Sequence, residues 1–409
     1  MKVLVAGGGI GGLCLAQGLV RRGIEVSVYE RDPALDCRGQ GYRLHLDAGL
    51  ALHACLAPDL YQLCIATAGR PSSSVTVVTK RMRRLRHIDV AQPADPADPK
   101  TLSTSVNRQT FREVLAARLD GAVRYGQVCA GFEQDRDGVR LRLADGSSVR
   151  GDVLVGADGV GSPMRRQYLP AAQVNRTGSV CIYGRTPLTA ESRALIPDYL
   201  WRGFVAVAGA GVGMALGVLD LREEPERAAA RIAAGVRLSA VSGYLMWALT
   251  GPARRFAGRS GSAGPARTAW PGVSASPLLP AGSVGLHGVV MRTIRGWHRD
   301  LRRLVELATV EDTMAVPIRT SVPLPGWPAS RVTLLGDAIH AMSPARGSGA
   351  NTALRDAALL ADELGAAARG DKPVLAAVAG YERAMTDYGF AAVRAAQQAE
   401  GGIIRRLTS

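Results

Sequence analysis

Two glycine-rich segments lie near opposite ends of this 409-residue chain, and each follows an apolar run typical of a buried strand. The first is residues 7–12 (GGGIGG), which comes directly after residues 3–6 (VLVA). The second includes Asp337 and residues 347–351 (GSGAN), after residues 332–335 (VTLL). Backbone N–H groups at such strand-to-helix turns bind phosphate. The sequence therefore predicts that both ends of the chain close on one phosphate-bearing cofactor.

The first segment fits the G-x-G-x-x-G pattern of a dinucleotide-binding turn. Gly7 permits the tight turn, Gly9 lets a pyrophosphate approach the backbone, and Gly12 lets the helix pack closely on the strand. The helix that opens at Ile10 and Gly11 would direct its N-terminal N–H groups at the phosphates.

An acidic residue follows about twenty residues later, at the end of the predicted second strand. Glu30 occupies this position and would bind ribose hydroxyls, with Arg31 beside it as a further candidate contact. This first unit alone leaves FAD and NAD equally open.

The second segment decides between these two cofactors. Asp337 comes at the carboxyl end of a strand, where ligands bind in open parallel sheets. Gly347 and Gly349 would let the backbone approach a flat ring, and Ala350 and Asn351 open the next helix. The positive end of that helix would stabilise a reduced, anionic flavin. We therefore expect FAD.

A third segment, residues 152–165 (DVLVGADGVGSPMR), completes a recognisable set. With Asp158 and Arg165 it is similar to the "DG" motif of the single-component FAD-dependent aromatic hydroxylases, of the p-hydroxybenzoate hydroxylase type. The segment around Asp337 resembles their "GD" motif, except that Ala341 stands where the family commonly has proline. Size and motifs are closest to the salicylate hydroxylase-like and tetracycline-modifying monooxygenases.

The resemblance implies further cofactor contacts. Arg108 is the better match to the arginine that reaches FAD from a helix, and Arg112 is the second candidate. Val128 would meet the adenine through its backbone. Arg38 falls where relatives place an arginine near the flavin or NADPH, although a surface arginine explains it equally well.

The predicted fold is α/β: a discontinuous Rossmann-like FAD-binding domain with an inserted β-rich substrate domain and C-terminal helices. The FAD-binding domain would comprise residues 1–71, 102–173 and 291–369, the substrate domain residues 72–101 and 174–290, and the helical segment residues 370–409. Residues 204–217 are predicted to form a β-hairpin rather than a second nucleotide site. Apolar stretches 205–219, 243–249 and 286–292 are the candidate pocket walls.

The resemblance implies an NAD(P)H- and O2-dependent monooxygenase, with NADPH or NADH binding transiently. It would hydroxylate or epoxidise an apolar, aromatic or polyketide-like small molecule through a flavin C4a-hydroperoxide. The flavin carries that chemistry, so no catalytic side chain is predicted; His340 is interpreted as ordering its loop. The alternatives are an FAD-dependent reductase or halogenase of the same fold, or a non-catalytic flavin-binding sensor.

The formal net charge of +15 comes almost entirely from arginine. Without aromatic stacking partners or a binding module, the basic segment 80–87 (KRMRRLRH) does not predict nucleic-acid binding. A solvated face is favoured over an approach path for NADPH or a carrier-bound substrate. No metal-ligand spacing, membrane span or signal peptide is evident, so we expect a cytoplasmic monomer or homodimer.

Overall fold

The computed structural model describes residues 1–37, 42–256, 279 and 282–408. Arg38, one of the predicted cofactor contacts, lies outside the described residues. The strands are β1 (Lys2–Ala6), β2 (Glu25–Tyr29), β3 (Arg43–Leu46), β4 (Ser74–Thr79), β5 (Arg84–Asp89), β6 (Thr104–Asn107), β7 (Val123–Arg124), β8 (Cys129–Gln134), β9 (Val139–Leu143), β10 (Ser148–Gly151), β11 (Val153–Gly156), β12 (Val174–Pro187), β13 (Gly203–Ala208), β14 (Gly213–Leu219), β15 (Tyr244–Pro252), β16 (Met314–Ser321) and β17 (Val332–Leu334).

The helices are α1 (Ile10–Val20), α2 (Gly49–Cys55), α3 (Pro58–Ala66), α4 (Arg108–Ala116), α5 (Pro163–Tyr168), α6 (Ala190–Leu195), α7 (Asp198–Trp201), α8 (Pro225–Ile232), α9 (Ser283–Thr293), α10 (Arg299–Glu306), α11 (Asp337–His340), α12 (Gly349–Ala368) and α13 (Val374–Thr408). None of the helices in the described part of the chain is long and apolar enough to cross a membrane.

A five-stranded parallel sheet places the three sequence motifs side by side. Its strand order is β17-β11-β1-β2-β7, so the strands that precede the three motifs are direct neighbours. Their side chains are almost wholly buried, as expected for a parallel sheet covered on both faces. Since parallel strands end at the same edge, the loops after β1, β11 and β17 converge there. This confirms the predicted α/β fold and its Rossmann-like parallel sheet.

A seven-stranded sheet, β16-β12-β15-β14-β13-β4-β5, forms the other half of the molecule. The predicted hairpin is confirmed, because β13 and β14 pair antiparallel from Phe204–Gly217 to Ala208–Gly213. Side chains alternate between the two faces of the sheet. One face carries Val205, Leu216 and Trp247 into an apolar core shared with α9 and α10.

Segment 291–369 contributes strands to both sheets. Strand β16 pairs with β12 in the seven-stranded sheet, whereas β17 pairs with β11 in the five-stranded sheet. The chain therefore crosses between the two halves within this segment, and the domain boundaries given above stay a prediction.

Helix α12 packs against α1 and α13, and one carboxyl group of α13 is buried against strand β17. Glu382 is 4% exposed and accepts a hydrogen bond of 2.8 Å from the Thr333 hydroxyl on β17. The Tyr168 hydroxyl donates a second bond of 3.4 Å. Burial raises the pKa of Glu382 to about 7 from its ordinary value of 4.5, and these hydrogen bonds offset only part of that shift.

Glu382 should make stability depend on pH. The folded protein retains a proton that the unfolded chain releases near pH 4.5, so this contribution to the free energy of unfolding is present below pH 4.5 and is lost as pH rises to about 7. We expect Glu382→Gln to match the parent protein at pH 4.5 and to exceed its unfolding free energy by about 2–3 kcal/mol at pH 8. Urea denaturation at both pH values measures this.

The exposed Glu311→Gln is the matched control for that measurement, since Glu311 lies at the surface. A gain for Glu382→Gln that is equal at both pH values would contradict the assignment of a buried, protonated carboxyl group.

Candidate cofactor and substrate cavity

One continuous cavity of about 960 Å³ runs from the edge of the five-stranded sheet to a face of the seven-stranded sheet. Of the sequence-predicted site residues, those that line it are Gly7, Gly9, Ile10, Gly11, Glu30, Arg31, Arg108, Arg112, Val128, Asp158, Asp337, Gly347, Gly349 and Ala350. Gly12 and Asn351 lie behind this lining. The structure therefore gathers residues from three distant parts of the sequence around one space.

The glycines of the first loop have different reasons to be glycine. A Cβ on Gly12 would lie 2.1 Å from the Gly7 carbonyl oxygen, and a Cβ on Gly7 would lie 2.4 Å from the Ala157 oxygen. These two positions are closed by the protein itself. Gly9 is extended, and a Cβ there would meet no protein atom within 4 Å. The open space at Gly9 faces the cavity and fits an approaching pyrophosphate.

Glu30 lies at the end of β2, as the sequence predicts. Its carboxylate is 6% exposed and accepts hydrogen bonds from the backbone N–H of Gly8 at 2.7 Å and of Asp32 at 2.9 Å. These bonds fix the glycine loop to the second strand and hold the carboxylate at the cavity wall. Its predicted contact with ribose hydroxyls stays a prediction.

The second glycine segment brings a carboxylate and a helix N-terminus to the same space. Asp337 lines the cavity. Loss of water around its carboxyl group raises the pKa of Asp337, and the nearby His340 and Arg108 oppose that rise. The 20-residue helix α12 begins at Gly349, which lines the cavity. Asn351 instead bonds inside the protein, accepting from the Asp47 N–H at 3.0 Å and donating to the His45 carbonyl at 3.0 Å.

Arginines from α4 and α5 hold this region in different ways. Arg112 donates to the Gly8 carbonyl at 3.1 Å, and Arg165 donates to the Ala338 carbonyl at 2.8 Å. Both therefore tie loops together. Arg108 lies over the Tyr42 ring at 5.7 Å, and its buried Nη1 has no hydrogen-bond partner within the described part of the chain.

Asp158 provides a second buried polar atom without a hydrogen-bond partner among the described residues. Its Oδ1 has no hydrogen bond among the described residues, while Oδ2 accepts from the Met164 N–H at 3.4 Å. Burial raises the pKa of Asp158. Buried polar groups in native proteins are nearly always paired. The free atoms of Arg108 and Asp158, together with the space at Gly9, fit a polar cofactor such as FAD.

Asp356 on α12 organises the second loop and was missed by the sequence analysis. Its buried carboxylate accepts from the Gly336 N–H at 2.8 Å, from His340 Nε2 at 2.6 Å and from the Tyr388 hydroxyl at 2.6 Å. Burial opposes protonation of His340, but the carboxylates of Asp356 and Asp337 outweigh it, so its pKa is raised. The interpretation of His340 as a residue that orders its loop is confirmed.

The cavity face of the seven-stranded sheet is mainly apolar and carries many small residues. Side chains on this face include Val75, Val77, Cys181, Tyr183, Phe204, Ala206, Ala208, Ala215, Met246 and Ala248. The alanines on β13, β14 and β15 leave room for a flat apolar molecule. Two of the predicted pocket walls, 205–219 and 243–249, contribute to this lining.

The third predicted wall, residues 286–292, is wrong. Leu286, Val289 and Val290 are buried in the core on the opposite face of the seven-stranded sheet, and this stretch does not line the cavity. Apolarity alone cannot distinguish a wall of the pocket from the packed core behind it.

The model of the FAD binding domain family matches residues 1–195 and 305–395 of this chain. The chain belongs to that family, and FAD is its cofactor. The chain also resembles a dual O-methyltransferase/FAD-dependent monooxygenase, CTB3, from Cercospora beticola, with 33% identity over 94% of this chain and 44% of the relative. It thus spans less than half of that protein's length.

Two further similarities cover more of the relative. The aurachin C monooxygenase/isomerase of Stigmatella aurantiaca is 29% identical over 88% of this chain and 80% of that protein. The crystal structure of Klebsiella pneumoniae HpxO with FAD and uric acid aligns over 100% of this chain and 92% of that chain, with a TM-score of 0.72 and 22% identity. The latter shows that the fold is shared.

Gly9→Ala should separate cofactor binding from folding. The protein itself leaves room for a methyl group there, but it would crowd a pyrophosphate bound in the glycine cradle formed by residues 7–12. We expect unchanged thermal stability of the cofactor-free protein and FAD affinity lowered about tenfold or more, measured by fluorescence titration. Gly326→Ala, at another open glycine, is the control. Equal FAD affinity of both variants would rule out the cradle.

Asp356→Asn should cost far more than loss of a surface carboxylate on the same helix. It leaves buried His340 without its counter-charge, so we expect about 3 kcal/mol lower unfolding free energy in urea. Asp362, which is 62% exposed and pairs with Arg22, supplies the control variant Asp362→Asn, with an effect of about 1 kcal/mol or less. Similar losses in both variants would contradict the role of Asp356.

Proposed function

We propose that this protein is a flavin monooxygenase that uses NAD(P)H and O2 to insert one oxygen atom into an apolar, aromatic or polyketide-like small molecule. The observation that carries the proposal is the continuity of the cavity. The glycine cradles of residues 7–12 and 347–351 at one end and the apolar sheet face at the other belong to a single space of about 960 Å³. A molecule held on the sheet would lie next to a cofactor held by the cradles.

The chain's own part in this reaction is to bind, orient and exclude water. Bound FAD would supply the chemistry, accepting hydride from NAD(P)H and activating O2. Gly9 and the N-terminus of α1 would hold the pyrophosphate of FAD. Asp337 would bind the adjoining ribitol chain. The N-terminus of α12 would stabilise negative charge on the ring. The apolar face around Phe204 and Met246 would keep water from the reacting atoms.

The similarity to known monooxygenases supports an oxygenase. Both the Cercospora and the Stigmatella proteins are named as monooxygenases, and each matches most of this chain. Flavin halogenases use a lysine near the substrate, and no lysine lines the cavity in the described ranges, so the halogenase alternative gains no support from it. Hydroxylation and epoxidation both remain within the proposal, because both need the same cofactor and the same apolar wall.

The visible spectrum during addition of NADPH, with and without oxygen, tests the proposal. We expect a yellow protein that bleaches without air and recolours only when O2 is admitted. NADH in place of NADPH identifies the preferred electron donor. A flavin that NADPH never bleaches, even when candidate aromatic compounds are added, would favour the sensor alternative. A reduced flavin that does not react with O2 would favour a reductase.

A further inference from the structure

A buried arginine lies in the cavity without an acidic partner. Arg43 on β3 is 8% exposed and lines the cavity. Its Nη2 donates to the Ser72 hydroxyl at 3.2 Å, while its Nε has no hydrogen-bond partner within the described part of the chain. Burial lowers the pKa of Arg43 to about 10, which leaves the guanidinium charged at neutral pH.

The charged and ionisable groups near Arg43 are engaged elsewhere or uncharged. Asp47 faces His45, with 3.8 Å between the carboxylate and Nε2, and Asp312 pairs with Arg185 at 2.5 Å. Tyr244 is buried, and burial raises the pKa of its hydroxyl well above the usual range, so it is a neutral phenol. Buried charges in proteins are normally paired. Within the described residues, Arg43 has no carboxylate partner.

The position of Arg43 places it against the substrate half of the cavity. A Cβ on Gly217 of β14 would lie 3.1 Å from Arg43 Nη1 and 3.2 Å from its Cζ, so the guanidinium lies against the seven-stranded sheet. Phe204, the cross-strand partner of Gly217, lines the same cavity. Arg43 thus provides a cation beside an apolar wall.

We propose that Arg43 binds an anionic oxygen of the substrate, a carboxylate or an ionised phenol or enol, while the ring system lies on the apolar sheet face. This inference rests on the proposed function and narrows its substrate to acidic aromatic or polyketide-like molecules. Ser72, which already accepts a bond from Arg43 and lines the cavity, would orient the guanidinium. Charge-assisted hydrogen bonds to a guanidinium are both strong and directional.

The test measures binding to the FAD-loaded protein without NADPH, so it does not depend on turnover. Two pairs compare an anion with a neutral analogue of similar size: 2-naphthoate against 2-naphthamide, and, in a buffer alkaline enough to ionise the phenol, 4-nitrophenolate against 4-nitroanisole. We expect the parent protein to bind at least one anion about tenfold or more tightly than its neutral counterpart. The pair that shows this preference identifies the substrate's acidic group as a carboxylate or a phenolate.

Arg43→Gln should reduce that preference to near one, and Arg43→Lys should retain part of it, since lysine keeps the charge but loses the planar donor array. Arg84→Gln removes one charge from exposed strand β5 and should leave the preference unchanged. Thermal melts verify that each variant is folded. A preference that survives Arg43→Gln, or no binding of either anion by the parent protein, would overturn the proposal. Failure of oxygen-dependent recolouring alone would instead overturn the proposed function.

Discussion

Close contact between helix α1 and the loop that follows strand β1 is the constraint on which the cofactor half of the molecule depends. It exists only because Gly12 has no side chain, since a Cβ there would lie 2.1 Å from the Gly7 oxygen. The contact sets the direction of α1, so that the N-terminus of α1 and the open backbone at Gly9 face the cavity. The neighbouring parallel strands β11 and β17 then deliver Asp158 and Asp337 to the same edge.

Buried polar groups lock the remaining loop in place. Asp356 gathers Gly336, His340 and Tyr388 into one hydrogen-bonded cluster, which joins the second glycine segment to α12 and α13. Because such a cluster is costly to leave partly paired, it favours a single loop conformation. The seven-stranded sheet contributes differently: its side chains alternate, so that Trp247 lies in the core behind the sheet and Ala206 faces the cavity.

Short sequence patterns predicted those features of the site that depend on a short stretch of chain. The first loop was readable because turn, helix and acidic residue occur within about thirty residues, the span of one supersecondary unit. The roles of Asp356 and Arg43 could not be predicted in this way, since they depend on partners that tertiary packing brings together. Arg43 sits in an ordinary strand sequence, and only its burial without a carboxylate reveals it. The error at 286–292 has a similar cause: an apolar stretch does not indicate which face of a sheet it covers.

One space should hold FAD at the edge of the five-stranded sheet and substrate on the seven-stranded sheet. A crystal structure of the FAD-loaded protein tests it most directly. We expect the pyrophosphate over Gly9, and the flavin ring between the N-terminus of α12 and the apolar face that carries Phe204. FAD bound outside this cavity, or a ring turned away from that face with the apolar wall closed by side chains, would contradict it.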